Sequence, residues 1–307
     1  MTSSGLAELV GETEGFLQEY WRNRPAVLSP GAGPDGVLAL EELDAALTAG
    51  VLHAPYVEMV RTDRIVPLGE YTRARTVNRV TRPGYADATG IRAQLDAGTT
   101  LVLRCVEQWH AGTAEFARRL GEELGRKVEA FFFVTPAGAQ GLRLHRDDAD
   151  VFVVQLNGAK QWYVHAGPED AHWGPGPTPE TGPPLLSPLL EAGQVLYIPR
   201  GFAHRATGDS GLSVHLSFTV RDIGVRDLER AARTLLLDRF PTDRRPLSDE
   251  GLSAAAGELL EALAADLPGL TAEQLVTTAR QAQQAETSAQ PSPHLQALAR
   301  SLENEKA

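Results

Sequence analysis

The sequence predicts a mainly β fold with α, in which a β core lies between two helical regions. Three observations carry this. Residues 128–220 fall into short apolar runs with a period of two, whereas the segments before and after repeat their apolar residues every three or four. Glycine, proline and asparagine separate the short runs, as the strands of a sandwich or barrel require. Hydrophobic residues make up 42% of the 307, against 22% charged, which is enough apolar mass for a packed core.

From the N-terminus, Leu6, Leu9, Val10, Phe16, Leu17 and Tyr20 stand near helical spacing, so one helix is expected over residues 6–21, stopped by Pro25. Residues 29–36 are loop by composition, and a short helix follows over 41–49. Thr113 reads as the N-cap of a helix ending before Gly125, with Phe116, Leu120 and Leu124 on its apolar face. Strands are expected over 128–134, 151–156, 160–164, 194–198 and 212–220, with the Gly- and Pro-rich stretch 174–188 as an irregular loop near the barrel mouth. Beyond Val220 the pattern is helical again. Leu228, Ala231, Ala232, Leu235 and Leu236 form one stripe, and Leu252, Ala255, Leu259, Leu263 and Leu267 form another. Thr271 with Gln274 is a capping-box pattern, and a polar linker over 285–293 precedes a last short helix over 294–302.

Composition excludes several classes. No run reaches the ~18 apolar residues of a membrane span, and residues 1–14 lack a basic stretch followed by an apolar one. The single cysteine, Cys105, rules out an intrachain disulfide and reads as a small buried hydrophobe within its apolar run, which together with the missing signal points to a cytoplasmic location. A net charge of −11 argues against direct binding to nucleic acid and is compatible with a basic protein or peptide partner.

The residues that carry chemistry begin at Leu144-His145-Arg146-Asp147. Residues two apart in a strand share a face, so His145 and Asp147 can bind one metal ion together. His204 follows 59 residues later in Pro199-Arg200-Gly201-Phe202-Ala203-His204, where proline and glycine suit a tight turn that delivers the histidine. His-x-Asp alone is most often a surface pair. With the downstream histidine in a β-rich context it becomes two imidazoles and one carboxylate, the donor set of non-heme iron(II) sites, with zinc and manganese as alternatives. Asn157-Gly158 between two apolar runs signals a two-residue hairpin pairing Gln155 with Lys160 and Val153 with Trp162. That alternation turns Lys160 to the same inward face as His145 and Asp147, where a buried lysine needs an anion. The distal carboxylate of 2-oxoglutarate is a natural partner. Otherwise Lys160 is a solvated hairpin residue. A straight strand from Asp147 to Gln155 would span roughly 26 Å, so the barrel must twist or the chain must bend near Asp148-Ala149-Asp150.

These residues resemble a known family. The stretches Thr135-Pro136-Ala137-Gly138-Ala139-Gln140-Gly141, His145-Arg146-Asp147-Asp148, Asp150-Val151-Phe152 and Gln155-Leu156-Asn157-Gly158-Ala159-Lys160-Gln161-Trp162 are similar to those of the cupin-type JmjC ribosomal oxygenases. So are Tyr20-Trp21-x-x-Arg24-Pro25, Val106-Glu107-Gln108-Trp109-His110 and Gly193-Gln194-Val195-Leu196-Tyr197-Ile198-Pro199, and the resemblance covers most of residues 16–220. It implies a double-stranded β-helix (cupin/JmjC jelly roll) with N-terminal helices over residues 1–222, followed by a helical dimerisation module over 223–307 with Arg244-Arg245-Pro246-Leu247 near its loop. No winged-helix domain is expected before Ala307. It implies an iron(II)- and 2-oxoglutarate-dependent dioxygenase that hydroxylates an amino-acid side chain in a ribosomal protein or a biosynthetic peptide. By motif match, His145, Asp147 and His204 hold the metal and Lys160 holds 2-oxoglutarate, with Ser213 a further candidate for that pocket. His215 is placed inward by alternation, in the core or behind the site. Phe131 and Phe133 stand where the family often has Asn and Tyr, which removes polar groups near the co-substrate. The competing class is a cupin metal-binding protein without oxygenase activity, for which Lys160 has no use.

Overall fold

The computed structural model describes residues 4–286 apart from 32, 63, 171, 180–181 and 239–247. The last expected helix, most of the preceding linker and the Arg244–Leu247 loop lie outside the described residues. The N-terminal apolar pattern forms two helices instead of one, α1 (Gly5–Val10) and α2 (Thr13–Glu19). Gly11, at φ +76°, ends the first, and the Glu12 carboxylate caps the second by accepting from the Glu14 and Gly15 amides. Helical spacing survives this break because both short helices bury the same side.

The chain continues through β1 (Ala26–Leu28), α3 (Leu40–Ala49), β2 (Val57–Val60), β3 (Thr72–Val77), β4 (Val80–Ala86), α4 (Ala88–Asp96) and β5 (Thr100–Leu103). Then come α5 (Ala111–Leu124), β6 (Lys127–Thr135), β7 (His145–Arg146), β8 (Ala149–Asn157), β9 (Ala159–Val164), β10 (Gly176–Pro177), β11 (Leu189–Glu191), β12 (Val195–Ile198), β13 (His204–Gly208) and β14 (Ser213–Arg221). Helices α6 (Val225–Leu237), α7 (Asp249–Asp266) and α8 (Ala272–Glu286) follow. All five expected strands are present within two residues at each end. The N-cap of α5 is His110, whose Nδ1 accepts from the Thr113 amide. Thr113 lies inside the helix, where its hydroxyl accepts from the Leu38 amide. Cys105 is half-buried and sits in the left-handed region, φ +51°, so it is a turn residue and not a core hydrophobe.

Two sheets face each other in a double-stranded β-helix, or jelly roll. One has seven strands in the order β1-β12-β8-β14-β6-β5-β2, the other five in the order β10-β7-β13-β9-β11, and β3–β4 stands apart as a ribbon. Strand β14 pairs along its whole length with β6 and from Val214 onward with β8, and its alternation divides the molecule. Val214, Leu216, Phe218 and Val220 point to the helical side, where they meet Phe116, Leu120, Phe132 and Phe152 in the main core. His215, Ser217, Thr219 and Arg221 point between the sheets and line a cavity. At the closed end of that space Val151, Val153, Trp162, Val164, Leu196 and Ile198 form a second apolar cluster.

The N-terminal motif seals the seven-stranded sheet from outside. Trp21 stacks on Phe152 and Tyr197, with ring centroids 6.2 and 5.8 Å apart, and Phe16 meets Tyr197 edge-on at 5.0 Å. Arg22 and Tyr197 both reach the fully buried Asp150 carboxylate, at 3.2 and 2.7 Å, so the charge taken out of water at the start of β8 is paired and hydrogen-bonded. The capping box is as expected: the Thr271 amide donates to Gln274 and the Gln274 amide donates to Thr271. No described helix is long and apolar enough to cross a membrane.

The Asn157-Gly158 turn does not make the expected hairpin. Strand β8 belongs to the seven-stranded sheet and β9 to the five-stranded one, so the turn carries the chain from one sheet to the other. Gln155 therefore pairs with His215, Val153 with Leu196 and Ser217, Lys160 with Leu190 and Gly208, and Trp162 with Ala206. A two-residue hairpin of this type needs positive φ at both turn residues, and only Gly158 has it, at +62°. The Asn157 side chain instead donates to Leu212 O, and a Cβ at Gly158 would strike the same carbonyl. Tethering to the loop before β14 holds the crossing open.

Candidate active site

His145 and His204 are direct register partners across the β7–β13 pair, which puts both imidazoles on one face of the five-stranded sheet. Their ring centroids are 4.3 Å apart. Asp147 follows immediately after β7 and turns back toward them, its two oxygens 3.8 Å from His145 Nε2 and 3.5 Å from His204 Nε2. One ligand atom from each residue lies within 4.8 Å of the others. Each histidine has its Nδ1 against a backbone carbonyl, Arg143 O at 2.8 Å and Phe202 O at 3.0 Å. A carbonyl only accepts, so each Nδ1 carries the hydrogen and each Nε2 presents a lone pair to the space shared with Asp147. Burial, and after it the neighbouring His145, pushes His204 down to about 4, against the opposing pull of Asp147, so its ring stays neutral.

The turn that delivers His204 is pinned to the strand that carries His145. Arg146, the middle residue of His-x-Asp, is buried and donates to Gly201 O and, at 3.1 Å, to Ala166 O. The Gly201 amide donates in return to Asp147 O at 3.0 Å. Gly201 has φ +82°, and a Cβ there would press against Pro168 and Trp173, so glycine is required. Nothing in the sequence pattern marked Arg146, because an arginine inside a short strand ordinarily faces solvent.

A cavity of about 200 Å³ opens beside these three residues and reaches Lys160, Phe131, Phe133, Trp162 and His215. Lys160 does point inward, though by a different register from the expected one. Strand β9 shares a sheet with β13, where Val164 pairs with His204 and Lys160 with Gly208. Four residues separate those pairs, about 13 Å along the strand. The ~26 Å gap expected for a straight strand disappears because the chain leaves the sheet after Asp147 and returns through β9.

Lys160 is 4% exposed, and its Nζ donates to Thr135 Oγ1 at 2.9 Å. Its ammonium lies 5.9 Å from the Phe133 ring centroid and 5.8 Å from that of Trp162, and it makes no ion pair among the described residues. Burial alone pushes it down to about 7. Phe133 thus supplies a π face where a polar partner was expected. His215 stacks on Phe133 at 4.6 Å, and burial, then Lys160, holds it well below the ordinary histidine range. Among the described residues His215 Nδ1 and Trp162 Nε1 have no hydrogen-bond partner. Ser213 is off the cavity wall: its hydroxyl accepts from Gln155 Nε2 at 2.9 Å, and it pairs across β6 with Thr135. Sequence reasoning missed Thr135 as the partner of Lys160, although it opens the Thr-Pro motif.

The family model described as JmjC domain matches residues 109–228, a span that holds both sheets' central strands and all three clustered ligands. That span is thus similar to a JmjC domain, and the chain is similar to ribosomal oxygenases. It is 28% identical over 228 residues to ribosomal oxygenase 2 of Rattus norvegicus, covering 68% of its own length and 45% of the relative's. It is 31% identical over 210 residues to ribosomal oxygenase 1 of Gallus gallus, covering 63% and 32%. The chain thus spans less than half the length of these curated relatives. Among solved structures, the ribosomal oxygenase YcfD of Escherichia coli aligns with TM-score 0.54 and 19% identity over 86% of this chain and 68% of that one. A complex of YcfD with cobalt and 2-oxoglutarate aligns with TM-score 0.53 over 82% and 66%. At these identities the likeness establishes the jelly-roll fold.

The unpaired ammonium fixes a pH-dependent penalty. Between about 7 and the ordinary lysine value near 10.4 the unfolded chain binds a proton at Lys160 that the folded chain does not, so stability rises with pH across that window. Lys160→Met is expected to stabilise the fold below pH of about 7 by roughly 1–3 kcal/mol, with the gain shrinking toward pH ~10. Thermal denaturation of both proteins at the two ends of the window, without added dicarboxylates, checks this. A variant less stable than wild type at the acid end would contradict it.

Proposed function

We propose that this protein is an iron(II)- and 2-oxoglutarate-dependent oxygenase that hydroxylates an amino-acid side chain in a protein or peptide. The observation that carries the reading is the placement of a buried lysine without an anionic partner in the same cavity as a two-histidine, one-carboxylate cluster. A structural metal site needs no such lysine. A co-substrate with a carboxylate at each end does: its keto acid end goes to the metal, and its distal carboxylate to Lys160.

His145, Asp147 and His204 would hold the metal on one face, leaving the others open. When bound, iron(II) and 2-oxoglutarate supply the oxidation: one oxygen atom of O2 enters a substrate C–H bond as hydroxyl, the other leaves in succinate, and carbon dioxide is released. The chain's own groups do the rest. Lys160, protonated once a carboxylate offsets its burial, orients the co-substrate, and the Thr135 hydroxyl holds Nζ in place. Ser213 acts behind this pair as the register partner of Thr135 across β14 and β6. Phe131, Phe133, Val151 and Val153 keep water from the cavity wall. The names of the relatives, ribosomal oxygenase and histidyl-hydroxylase, support a polypeptide substrate, ribosomal or biosynthetic. The single cysteine fits a reducing cytoplasm.

Supplied with iron(II), wild type is expected to convert 2-oxoglutarate to succinate, and His145→Ala or His204→Ala to abolish the conversion. Lys160→Ala raises the KM for 2-oxoglutarate while iron binding persists. Succinate release, read by mass spectrometry or NMR, checks each variant. Iron binding without any 2-oxoglutarate turnover in wild type would return the chain to the cupin metal-binding class.

The helices after β14 support a homodimer. Among the described residues α7 has no buried side chain, and Leu252, Leu260 and Leu267 are exposed, as are Val225 and Leu235 of α6. Two-fold pairing is the commonest way to cover such a face. Light scattering at micromolar concentration is expected to give twice the 33.0 kDa chain mass, and a 33.0 kDa species would contradict it.

A further inference from the structure

Outside the cavity, a concentration of positive charge lies on the β3–β4 ribbon. Residues 72–86 contain Arg73, Arg75, Arg79 and Arg82 and no aspartate or glutamate, in a chain of net charge −11. The core does not need these side chains. The strands of the ribbon pair with each other, and an isolated His53–Tyr85 bridge is the further β contact described for them. Every residue from 76 to 83 is exposed.

Local energetics run against this arrangement unless a partner is present. Arg75 and Arg82 are register partners, and like charges directly opposite one another destabilise a strand pair. Arg75 is settled against the C-terminal end of α3 at Gly50 and over the Tyr85 ring at 5.8 Å. Arg73 has Asp87 at 3.8 Å. Arg82 reaches only the Thr81 carbonyl, at 3.2 Å, and neither it nor Arg79 has a carboxylate partner among the described residues. Arg79 also sits at the turn with φ +65°, beside Asn78 at +47°. Glycine or asparagine adopts that conformation at less cost than arginine, so the turn itself does not account for a guanidinium at the tip. Val77 and Val80, register partners at 68% and 50% exposure, add an apolar contact on the same face as Arg75 and Arg82.

The segment that precedes the ribbon in the chain touches the site. Arg143, two residues before His145, donates through Nε and Nη2 to Thr62 O at 3.0 and 2.7 Å. A surface groove of about 480 Å³, walled by Val60, Thr62 and Ile65 of the segment leading to the ribbon, shares Val60, Gly141, Leu142 and His145 with the active-site cavity.

We propose that the ribbon docks an acidic, extended segment of the polypeptide substrate along the open edge of β3, with its carboxylates on Arg79 and Arg82. This rests on the oxygenase reading for the word substrate, and on the ribbon alone for the binding. Edge addition gives main-chain hydrogen bonds, and the arginines select for acidic side chains. A nucleic acid is disfavoured. The ribbon's one aromatic ring, Tyr85, is already engaged by His53 and Arg75, and with the ribbon's four charges set aside the chain carries −15, which repels a long polyanion.

Fluorescence anisotropy of the full chain tests the proposal with labelled peptides of about twelve alternating Glu and Val residues, a Lys and Val counterpart, and a single-stranded RNA of similar charge. The acidic peptide is expected to bind, more weakly as salt rises, and to lose about tenfold or more in Arg79→Glu/Arg82→Glu while Arg79→Lys/Arg82→Lys retains binding. 2-Oxoglutarate affinity stays at the wild-type value in both, and neither variant melts below wild type, the charge reversal relieving the Arg75–Arg82 repulsion. Equal binding of the basic peptide, undiminished binding by the charge-reversed protein, or tighter binding of RNA would each overturn it. Peptide binding needs neither iron nor 2-oxoglutarate, so its failure is distinct from a failure of turnover.

Discussion

The pairing of β7 with β13 is the contact on which the site depends. These strands are two and five residues long, too short to hold a register by backbone bonds alone. The buried Arg146 supplies what they lack by tying the Gly201 turn to the strand that carries His145, and the Gly201 amide closes the loop on Asp147 O. With that register in place His204 stands opposite His145, and backbone carbonyls at Nδ1 aim both free ring nitrogens at the Asp147 carboxylate. A one-residue slip would turn one imidazole out of the barrel.

Much of this was legible because alternation is a strong signal in long buried strands. Strands β6, β8 and β14 stood out in the sequence, and the same alternation assigned His215 and Lys160 to the interior. The hairpin did not follow, because an Asn-Gly pair reports a reversal of direction and not which sheet the next strand joins. Lys160 came out on the correct face from a wrong register: period-two alternation fixes the face even when the partner is mistaken. The short strands β7, β10 and β11 carry too few residues for periodicity to register. The break between α1 and α2 was hidden because Gly11 interrupts the backbone without interrupting the apolar side. Arg146 and Thr135 were invisible as partners, since a hydrogen bond across distant segments leaves no local pattern.

The cavity is expensive for the fold. It holds an ammonium without an anion, and its wall carries an imidazole nitrogen and an indole N–H without partners among the described residues, all in a region where buried polar groups are ordinarily satisfied. Aromatic faces from Phe133 and Trp162 offset part of that cost. On the proposed function, binding of a charged co-substrate would offset that cost and stabilise the fold. The arginine ribbon shows the same logic at the surface, where Arg79 and Arg82 have no carboxylate partner among the described residues.

Calorimetric titration of the cobalt(II)-loaded protein with 2-oxoglutarate and with its 5-methyl ester tests the central claim most directly, that Lys160 is there to receive a second carboxylate. The ester keeps the metal-binding end and removes only the distal charge. The account predicts tight binding of the diacid, proton uptake above pH of about 7 as Lys160 regains its charge, and an affinity for the ester lower by about tenfold or more. Equal affinities for the two, with no proton taken up, would contradict it.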